Sequence, residues 1–181
     1  MKKRQSGVLM HISSLPGKYG IGSFGQAAYD FVDFLVRTKQ RYWQILPLGT
    51  TSYGDSPYQS FSAFAGNTHF IDFDLLIEQG LLDASDVEGV DFGQDPTEVD
   101  YEKIFEQRRP LLEKAVKAFI ENGDWDDFSR FVEQNAAWLE LFAEYMAIKE
   151  HFELKAWTEW PDAAIRVRQP EALASYRAQL E

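Results

Sequence analysis

The sequence has no cysteine, only three histidines and three methionines, and no long run of apolar residues. The lack of cysteine excludes disulfides, thiolate chemistry and cysteine-ligated zinc. The basic start is followed only by the weakly apolar run 8–12. That run is too short for the core of a secretory signal or for a membrane-spanning helix. These features favour a soluble cytoplasmic protein.

Positive charge is also scarce. The sequence has 18 Lys and Arg residues against 29 Asp and Glu residues, which gives a formal net charge of −11. Binding to nucleic acid or to an anionic membrane depends on positive charge, so we expect neither as a partner. What the chain does have is apolar bulk, with 45% hydrophobic and 15% aromatic residues. A chain of 181 residues with this composition can bury a core and form one domain, or one domain with a small appendage.

The first fifty residues predict a strand, a loop, a helix and a second strand. Residues 7–12 and 41–48 are short apolar runs bounded by turn residues, which is typical of buried strands. The helix between them is expected to begin at a capping box over 23–26. The order indicates a βαβ unit and therefore a parallel sheet. The glycines at 20–25 match a dinucleotide fingerprint, but seven residues separate them from the strand, and that fingerprint needs a tight turn directly after it.

The loop after the second strand is the candidate site. It presents two rings, a carboxylate, a hydroxyl and an amide within seven residues: Tyr53, Asp55, Ser56, Tyr58 and Gln59. A sugar needs convergent donors and acceptors for its hydroxyls and a flat ring against its apolar face. The pattern therefore favours carbohydrate binding. The alternative is that these aromatic side chains pack on the scaffold.

Residues 69–76 alternate between apolar and polar side chains, which predicts a third strand. Ile71, Phe73 and Leu75 would share one face, and Asp72 and Asp74 the other. Two carboxylates on one face could form an acid/base pair. A solvated or capping pair is the commoner arrangement.

The second half of the chain is predicted to be helical. A connector over 78–100 leads to apolar side chains at helical spacing over 101–121 and again over 126–154, which predicts an antiparallel helix pair with acidic outer faces. Pro110 either kinks the first of these helices or begins a new one. The aromatic stripe is core or, alternatively, a partner surface. Residues 170–181 predict a last helix.

Four blocks in the first seventy residues resemble a known enzyme family. They lie at 7–17, 19–22, 43–49 and 53–67, and include Trp-Gln-Ile-Leu-Pro-Leu-Gly and Tyr-Gly-Asp-Ser-Pro-Tyr-Gln-Ser-Phe-Ser-Ala-Phe-Ala-Gly-Asn. These blocks look like the amino-terminal part of amylomaltase, the 4-α-glucanotransferase or disproportionating enzyme of glycoside hydrolase family 77. Residues 101–181 resemble the family only as a helical insertion at a comparable place.

The resemblance implies an α/β fold, the amino-terminal part of a (β/α)8 TIM barrel with an inserted, mainly α-helical subdomain. Residues 1–82 would hold the first βα units with the substrate loop, and residues 83–181 the helical insertion subdomain and connector. Members of the family transfer α-1,4-glucan segments between maltodextrins by a retaining double displacement. They need no metal and no organic cofactor.

The resemblance also implies roles for four loop residues. Tyr58 would stack against the sugar next to the scissile bond, and Ser56 would hydrogen-bond a neighbouring donor-side sugar. Asp55 would help to shape the loop. Tyr53 would hold glucan at a second, non-catalytic site.

No catalytic residue can be assigned in this chain. Retention needs a carboxylate nucleophile and a carboxylic acid/base about 5 Å apart, and no stretch here matches the family motifs that carry them. They are expected downstream of Glu181, and a whole barrel takes about 250 residues. The chain alone is therefore predicted to be inactive, and the remaining carboxyl-terminal part of the same enzyme is an implied partner.

Two other hypotheses remain open. One is a non-catalytic α-glucan-binding module that uses Tyr53 and Tyr58 as platforms. The other is an acidic helical interaction protein that works through 101–154. His11 is a candidate for supporting the site through another residue, and a buried, hydrogen-bonded structural histidine is its alternative.

Overall fold

The computed structural model describes residues 4–51 and 54–180. Contacts divide the chain into two compact units, residues 1–124 and 125–181. The boundary predicted between 82 and 83 separates a barrel part from an insertion in a complete enzyme, and it stays a prediction. Within the described residues, no helix is both long and apolar enough to cross a membrane.

The first unit begins with the predicted βαβ arrangement. Strand β1 (Gly7–Leu9) pairs in parallel with β2 (Tyr42–Gln44), and α1 (Gln26–Arg37) connects them. Both strands are shorter than the apolar runs that predicted them. Ala28 and Leu35 of α1 are buried, and the Phe31 ring meets the Trp43 ring of β2 edge-on at 4.8 Å. The helix thus lies against the sheet through its apolar face, as in a crossover connection.

The start of α1 differs from the predicted capping box. The N-cap residue is Gly25, and no side chain caps the helix. The Ser23 hydroxyl instead donates to Asp72 Oδ2 at 2.5 Å. A Cβ atom on Gly25 would lie 2.1 Å from the same oxygen, so a glycine is needed for Asp72 to approach. The Ser23 hydroxyl therefore pairs with a residue distant in sequence and does not cap α1.

The prediction of a third strand at 69–76 is wrong. A 3₁₀ turn spans Thr68–Phe70, and helix α2 spans Phe73–Glu78. Asp72 is the N-cap of α2, where its side chain accepts from the Leu75 amide. Phe73 is fully buried, whereas Ile71 and Leu75 are each 38% exposed. The two carboxylates therefore do not share a strand face, and Asp72 serves as a cap.

Helix α3 (Ala84–Val87) lies in the connector, and α4 (Tyr101–Asn122) completes the first unit. Helix α4 runs continuously through Pro110. The core of the unit gathers side chains from all these segments around Phe73. Its buried members include Ile12, Leu15, Ile21, Phe70, Leu82, Phe92, Ile104 and Leu111.

The second unit is helical. It contains α5 (Trp125–Gln134), α6 (Leu139–His151), α7 (Ala163–Arg166) and α8 (Pro170–Leu180), with a 3₁₀ turn at Trp157–Glu159. The continuous pattern predicted over 126–154 is interrupted between α5 and α6.

Part of the predicted aromatic stripe is core in the second unit. Tyr145 and Phe152 pack on the buried cluster of Ile148, Trp160 and Ile165. Phe128 and Phe131 of α5 are instead 45% and 50% exposed. The interpretation of the stripe as core is therefore correct for α6 and wrong for α5.

Candidate functional site

The candidate site is the loop that joins β2 to the 3₁₀ turn at Thr68–Phe70. Its ends are held together at the base, which we call the loop clamp: Gly49 bridges Gly66 in antiparallel fashion, and the Asn67 amide donates to the Leu48 carbonyl at 2.9 Å. Asn67 also accepts the His69 amide with its side chain. Backbone pairing thus holds the two ends of the loop together.

Hydroxyl groups order the second half of the loop. Ser60 Oγ pairs with Thr50 Oγ1 at 3.1 Å and donates to the Ser62 carbonyl at 2.7 Å. Ser62 Oγ accepts the amides of Phe64 and Ala65 at 3.2 and 3.0 Å. Serine side chains that bond nearby backbone groups stabilise turns in this way. The serines of this loop therefore stabilise its own backbone, in addition to any role in binding.

The tip of the loop bends through two successive residues with positive φ. Gly54 has φ 90° and Asp55 has φ 53°. Glycine accepts this conformation without cost, and aspartate is among the few other residues that do so readily. The Ser56 carbonyl then accepts the Gln59 amide at 3.1 Å, and Ser56 Oγ accepts the Tyr58 amide at 3.4 Å. These bonds fix a turn between Ser56 and Gln59.

This turn exposes the ring of Tyr58. The side chain is 72% exposed, while Asp55 and Ser56 are half-buried beside it. An exposed ring on a turn fixed by hydrogen bonds can receive the apolar face of a flat ligand at little entropic cost. Tyr53, the fourth predicted residue, lies outside the described residues.

Asp55 lies close to a residue that the sequence did not connect with the site. Burial raises the pKa of Asp55. Its charge acts on Tyr101, the first residue of α4, and burial, together with that charge, raises the pKa of Tyr101 against the effect of a hydrogen bond from Ser13. Tyr101 is therefore bonded to the loop after β1 and lies within the electrostatic influence of the loop after β2. No local signal identifies this interaction, because 46 residues separate Tyr101 from Asp55 in sequence.

The two histidines near the site are half-buried in the first unit. The His11 ring meets Phe70 edge-on at 5.3 Å, and burial lowers the pKa of His11. Burial, with the nearby Arg108 charge, lowers the pKa of His69 to about 4. The Nδ1 atoms of both rings are buried and have no hydrogen-bond partner within the described part of the chain. His11 therefore packs on an aromatic ring, but among the described residues its Nδ1 atom lacks the hydrogen bond that the structural alternative predicts, and its role stays a prediction.

Other predicted candidates are accounted for by packing. Asp74 accepts Tyr19 Oη at 2.5 Å and Lys18 Nζ at 2.8 Å, and those bonds lower its pKa. Residues 4–51 and 54–180 contain no group of three or more His, Asp or Glu side chains that could hold a metal ion. The loop around Tyr58 therefore remains the candidate binding site.

Known proteins resemble this chain over nearly its full length. Residues 10–181 match the family described as 4-alpha-glucanotransferase, glycoside hydrolase family 77. The 4-alpha-glucanotransferase of Streptococcus pneumoniae is 78% identical over 180 residues, covering 99% of this chain and 36% of that protein. The one of Thermus thermophilus is 42% identical over 180 residues, covering 98% of this chain and 35% of that protein.

A solved structure has the same fold over the same part. The amylomaltase from Streptococcus agalactiae, determined in complex with acarbose, superposes with a TM-score of 0.94 at 60% sequence identity. The match covers 98% of this chain and 36% of that one. The chain therefore spans about a third of the length of these relatives, and it belongs to the 4-alpha-glucanotransferase family, of whose members it matches an amino-terminal part.

Proposed function

We propose that this chain supplies the glucan-binding loop of a 4-α-glucanotransferase that acts on maltodextrins. The observation that carries the proposal is the exposed Tyr58 ring, held on a hydrogen-bonded turn in a chain that superposes on an amylomaltase with a TM-score of 0.94. In the complete enzyme, β1, α1 and β2 would be the first units of a (β/α)8 barrel. The loop after β2 would then lie at the carboxyl end of the strands, where barrel enzymes keep their active sites.

Four loop residues have proposed roles, and those of Tyr58, Ser56 and Asp55 fit their positions. Tyr58 stacks against a sugar ring, and Ser56 offers its hydroxyl to a neighbouring sugar. Asp55 shapes the tip through its positive φ, and its half-buried carboxylate accepts bonds from sugar hydroxyls. Tyr53 contacts glucan at a second position.

The chemistry itself needs residues from elsewhere. A retaining transfer requires a nucleophilic carboxylate and a carboxylic acid/base. Asp72 and Asp74, the pair with the best sequence pattern, are occupied as a helix cap and as the partner of Tyr19 and Lys18. We propose that the remaining two thirds of the enzyme supply these groups in the cytoplasm, and that this chain alone does not turn over substrate.

The test is maltotriose disproportionation with this chain, with the remaining part supplied as a second polypeptide, and with the mixture. We expect glucose and longer oligomers from the mixture only. Products from this chain alone would contradict the assignment of the carboxylates to the missing part. No products in any tube would contradict the proposal that the two parts together form the active enzyme.

A non-catalytic glucan-binding module is the second candidate, and the internal bracing of the loop favours it. Calorimetry with maltoheptaose, with cello-oligomers as the control ligand, tests whether this chain binds glucan. Tyr58→Ala should weaken binding by at least about tenfold, or ~1.4 kcal/mol. Tyr29→Ala removes a ring of similar exposure, 64%, from α1 and should leave binding unchanged. Equal losses in both variants would contradict a role for the Tyr58 ring.

A further inference from the structure

Arg108 of α4 is a buried cation held by carbonyl groups. It is 1% exposed, and its guanidinium donates to the Ile71 carbonyl and, at 3.4 Å, to the Tyr19 carbonyl. Its guanidinium carbon also lies 4.1 Å from the centroid of the Phe73 ring. Burial lowers its pKa to about 10, and the Asp72 charge opposes that shift only in part. The Nε atom is buried and has no hydrogen-bond partner within residues 4–51 and 54–180.

If Arg108 served only to stabilise the fold, this arrangement would be unfavourable. A cation that leaves water without forming a salt bridge loses solvation that two carbonyl groups replace only in part. An apolar side chain of similar length would fill the same space. The planar guanidinium has its N–H donors in a rigid arrangement. It can therefore hold two carbonyl acceptors from different segments in fixed positions.

One of those acceptors lies next to the loop clamp. The Ile71 amide donates to the Thr68 carbonyl at 3.2 Å, and the Phe70 amide donates to the Asn67 carbonyl at 3.1 Å. Asn67 is the residue that closes the clamp on Leu48. The bond from Arg108 to Ile71 therefore anchors a continuous hydrogen-bonded turn that ends at the base of the loop.

The same face of α4 also reaches the tip of the loop. Tyr101 precedes Arg108 by seven residues, which is two helical turns, so both side chains leave the helix on one face. Tyr101 is hydrogen-bonded to Ser13, and burial together with the charge of Asp55 raises its pKa, as described above. Helix α4 thus holds the turn behind the base of the loop through Arg108, and the charge of Asp55 at the tip of the loop acts on Tyr101 of the same face.

We propose that Arg108 is a positioning residue for the glucan-binding loop, because it anchors the turn that closes the loop clamp and so fixes the frame on which Tyr58 is presented. The inference rests on the proposed function of that loop. Its structural part, the dependence of the loop on Arg108, can be tested without any glucan. The positioning role of Arg108 and the glucan-binding function of the loop can therefore be refuted separately.

The test is amide hydrogen exchange of the whole chain in three variants. Arg108→Met keeps the length of the side chain and removes the fork. We expect exchange in residues 54–72 to become about tenfold faster, as the loss of a charge-assisted hydrogen bond would produce, while exchange in α1 stays at its wild-type rate. Arg108→Lys keeps the charge and one donor direction, so it should restore part of the protection.

The neighbouring residue gives a matched control. Arg109 is on the same helix, its side chain is 42% exposed, and it pairs with Glu113 at 2.9 Å, so Arg109→Met should leave loop exchange unchanged. If Arg108→Met does not fold, Arg108→Lys carries the test alone.

Two outcomes would overturn the inference. One is faster exchange spread evenly over α1, α4 and the loop, which would make Arg108 a general core residue. The other is loop exchange that does not respond to either change at Arg108. A loop that loosens in these variants, in a chain that fails to bind maltoheptaose, would support the positioning role and contradict the proposed function.

Discussion

Asp72 offers the sharpest test of how the first unit is held together. Its Oδ2 accepts the Ser23 hydroxyl at 2.5 Å, and its Oδ1 accepts the Leu75 amide at 3.2 Å as the N-cap of α2. The carboxylate also lies against Gly25, where α1 begins. Replacing Asp72 by Ala removes both bonds and leaves the Ser23 hydroxyl buried without its acceptor.

The expected loss follows from the two bonds. Removal of an N-cap costs about 1 kcal/mol. Removal of a part-buried hydrogen bond to a charged group costs about 1.5–3 kcal/mol. Since one side chain makes both, we expect Asp72→Ala to lower the free energy of unfolding of the first unit by about 3 kcal/mol. Asp72→Asn keeps an oxygen for the cap and should cost about 1 kcal/mol.

Urea unfolding can separate this effect from the second unit. Of the five tryptophans, only Trp43 lies in residues 1–124, so tryptophan fluorescence mainly follows the second unit, while circular dichroism follows both. We expect the part of the dichroism transition that reports on the first unit to shift to lower urea and the fluorescence transition to stay. Asp30→Ala removes an exposed bond to Gln26 on α1 and serves as the control, with a change within about 0.5 kcal/mol. A loss below 1 kcal/mol for Asp72→Ala would refute the assignment of Asp72 as a structural anchor.

Three further predictions concern stability. Gly25→Ala places a Cβ 2.1 Å from Asp72 Oδ2 and should destabilise the first unit by about 1–3 kcal/mol in urea unfolding. Glu144, whose side chain is 7% exposed, pairs with Arg177 at 2.5 Å, so Glu144→Gln should lower the stability of the second unit by about 1–2 kcal/mol, seen by tryptophan fluorescence. The pKa of His69 falls from 6.5 to about 4 on folding, so the unfolded chain binds its proton first as the pH falls. Stability should therefore drop by about 2 kcal/mol between pH 7.5 and 5, and His69→Gln should remove that slope.

Each of these has a control and a contradicting result. Gly66→Ala meets nothing within 4 Å and should be neutral, so equal losses at the two glycines would contradict the steric argument. Glu140 is 78% exposed and 3.8 Å from Arg177, and Glu140→Gln should change little. A Glu144→Gln variant as stable as the wild type would show that the pair adds nothing. An unchanged pH slope in His69→Gln would assign the slope to other groups.

The sequence predicted the βαβ start because its signals are local and agree with one another. Two apolar runs bounded by glycine and proline flank a helix with one apolar face, and the parallel pairing follows from that order. The same reasoning failed over 69–76. Alternation over eight residues also contains a helical spacing, with Phe73, Leu76 and Ile77 on one side, and an aspartate before it that can cap. Short apolar segments satisfy both periods, and packing decides between them.

The capping box at the start of α1 failed for a related reason. Ser23 and Gln26 have the right spacing for one, but Asp72, 49 residues away in sequence, offers the Ser23 hydroxyl a charged acceptor. The Ser23 hydroxyl donates to that carboxylate, and α1 begins two residues later with Gly25 as its N-cap. Nothing near Ser23 in the sequence contains this information.

The sequence by itself determined the chemical content of the loop: its rings, its hydroxyls, its carboxylate and the turn residues that bend it. These follow from residue identity and from backbone preferences within a few positions of each other. Only the tertiary structure decided that α4 lies behind the loop, that Tyr101 reaches Ser13 and the region of Asp55, and that Arg108 holds the turn at its base. The physical reason is that a buried cation and a half-buried carboxylate take their partners from whichever segments the core brings within hydrogen-bond distance. That choice is made by packing over the whole unit and not by neighbours in the chain.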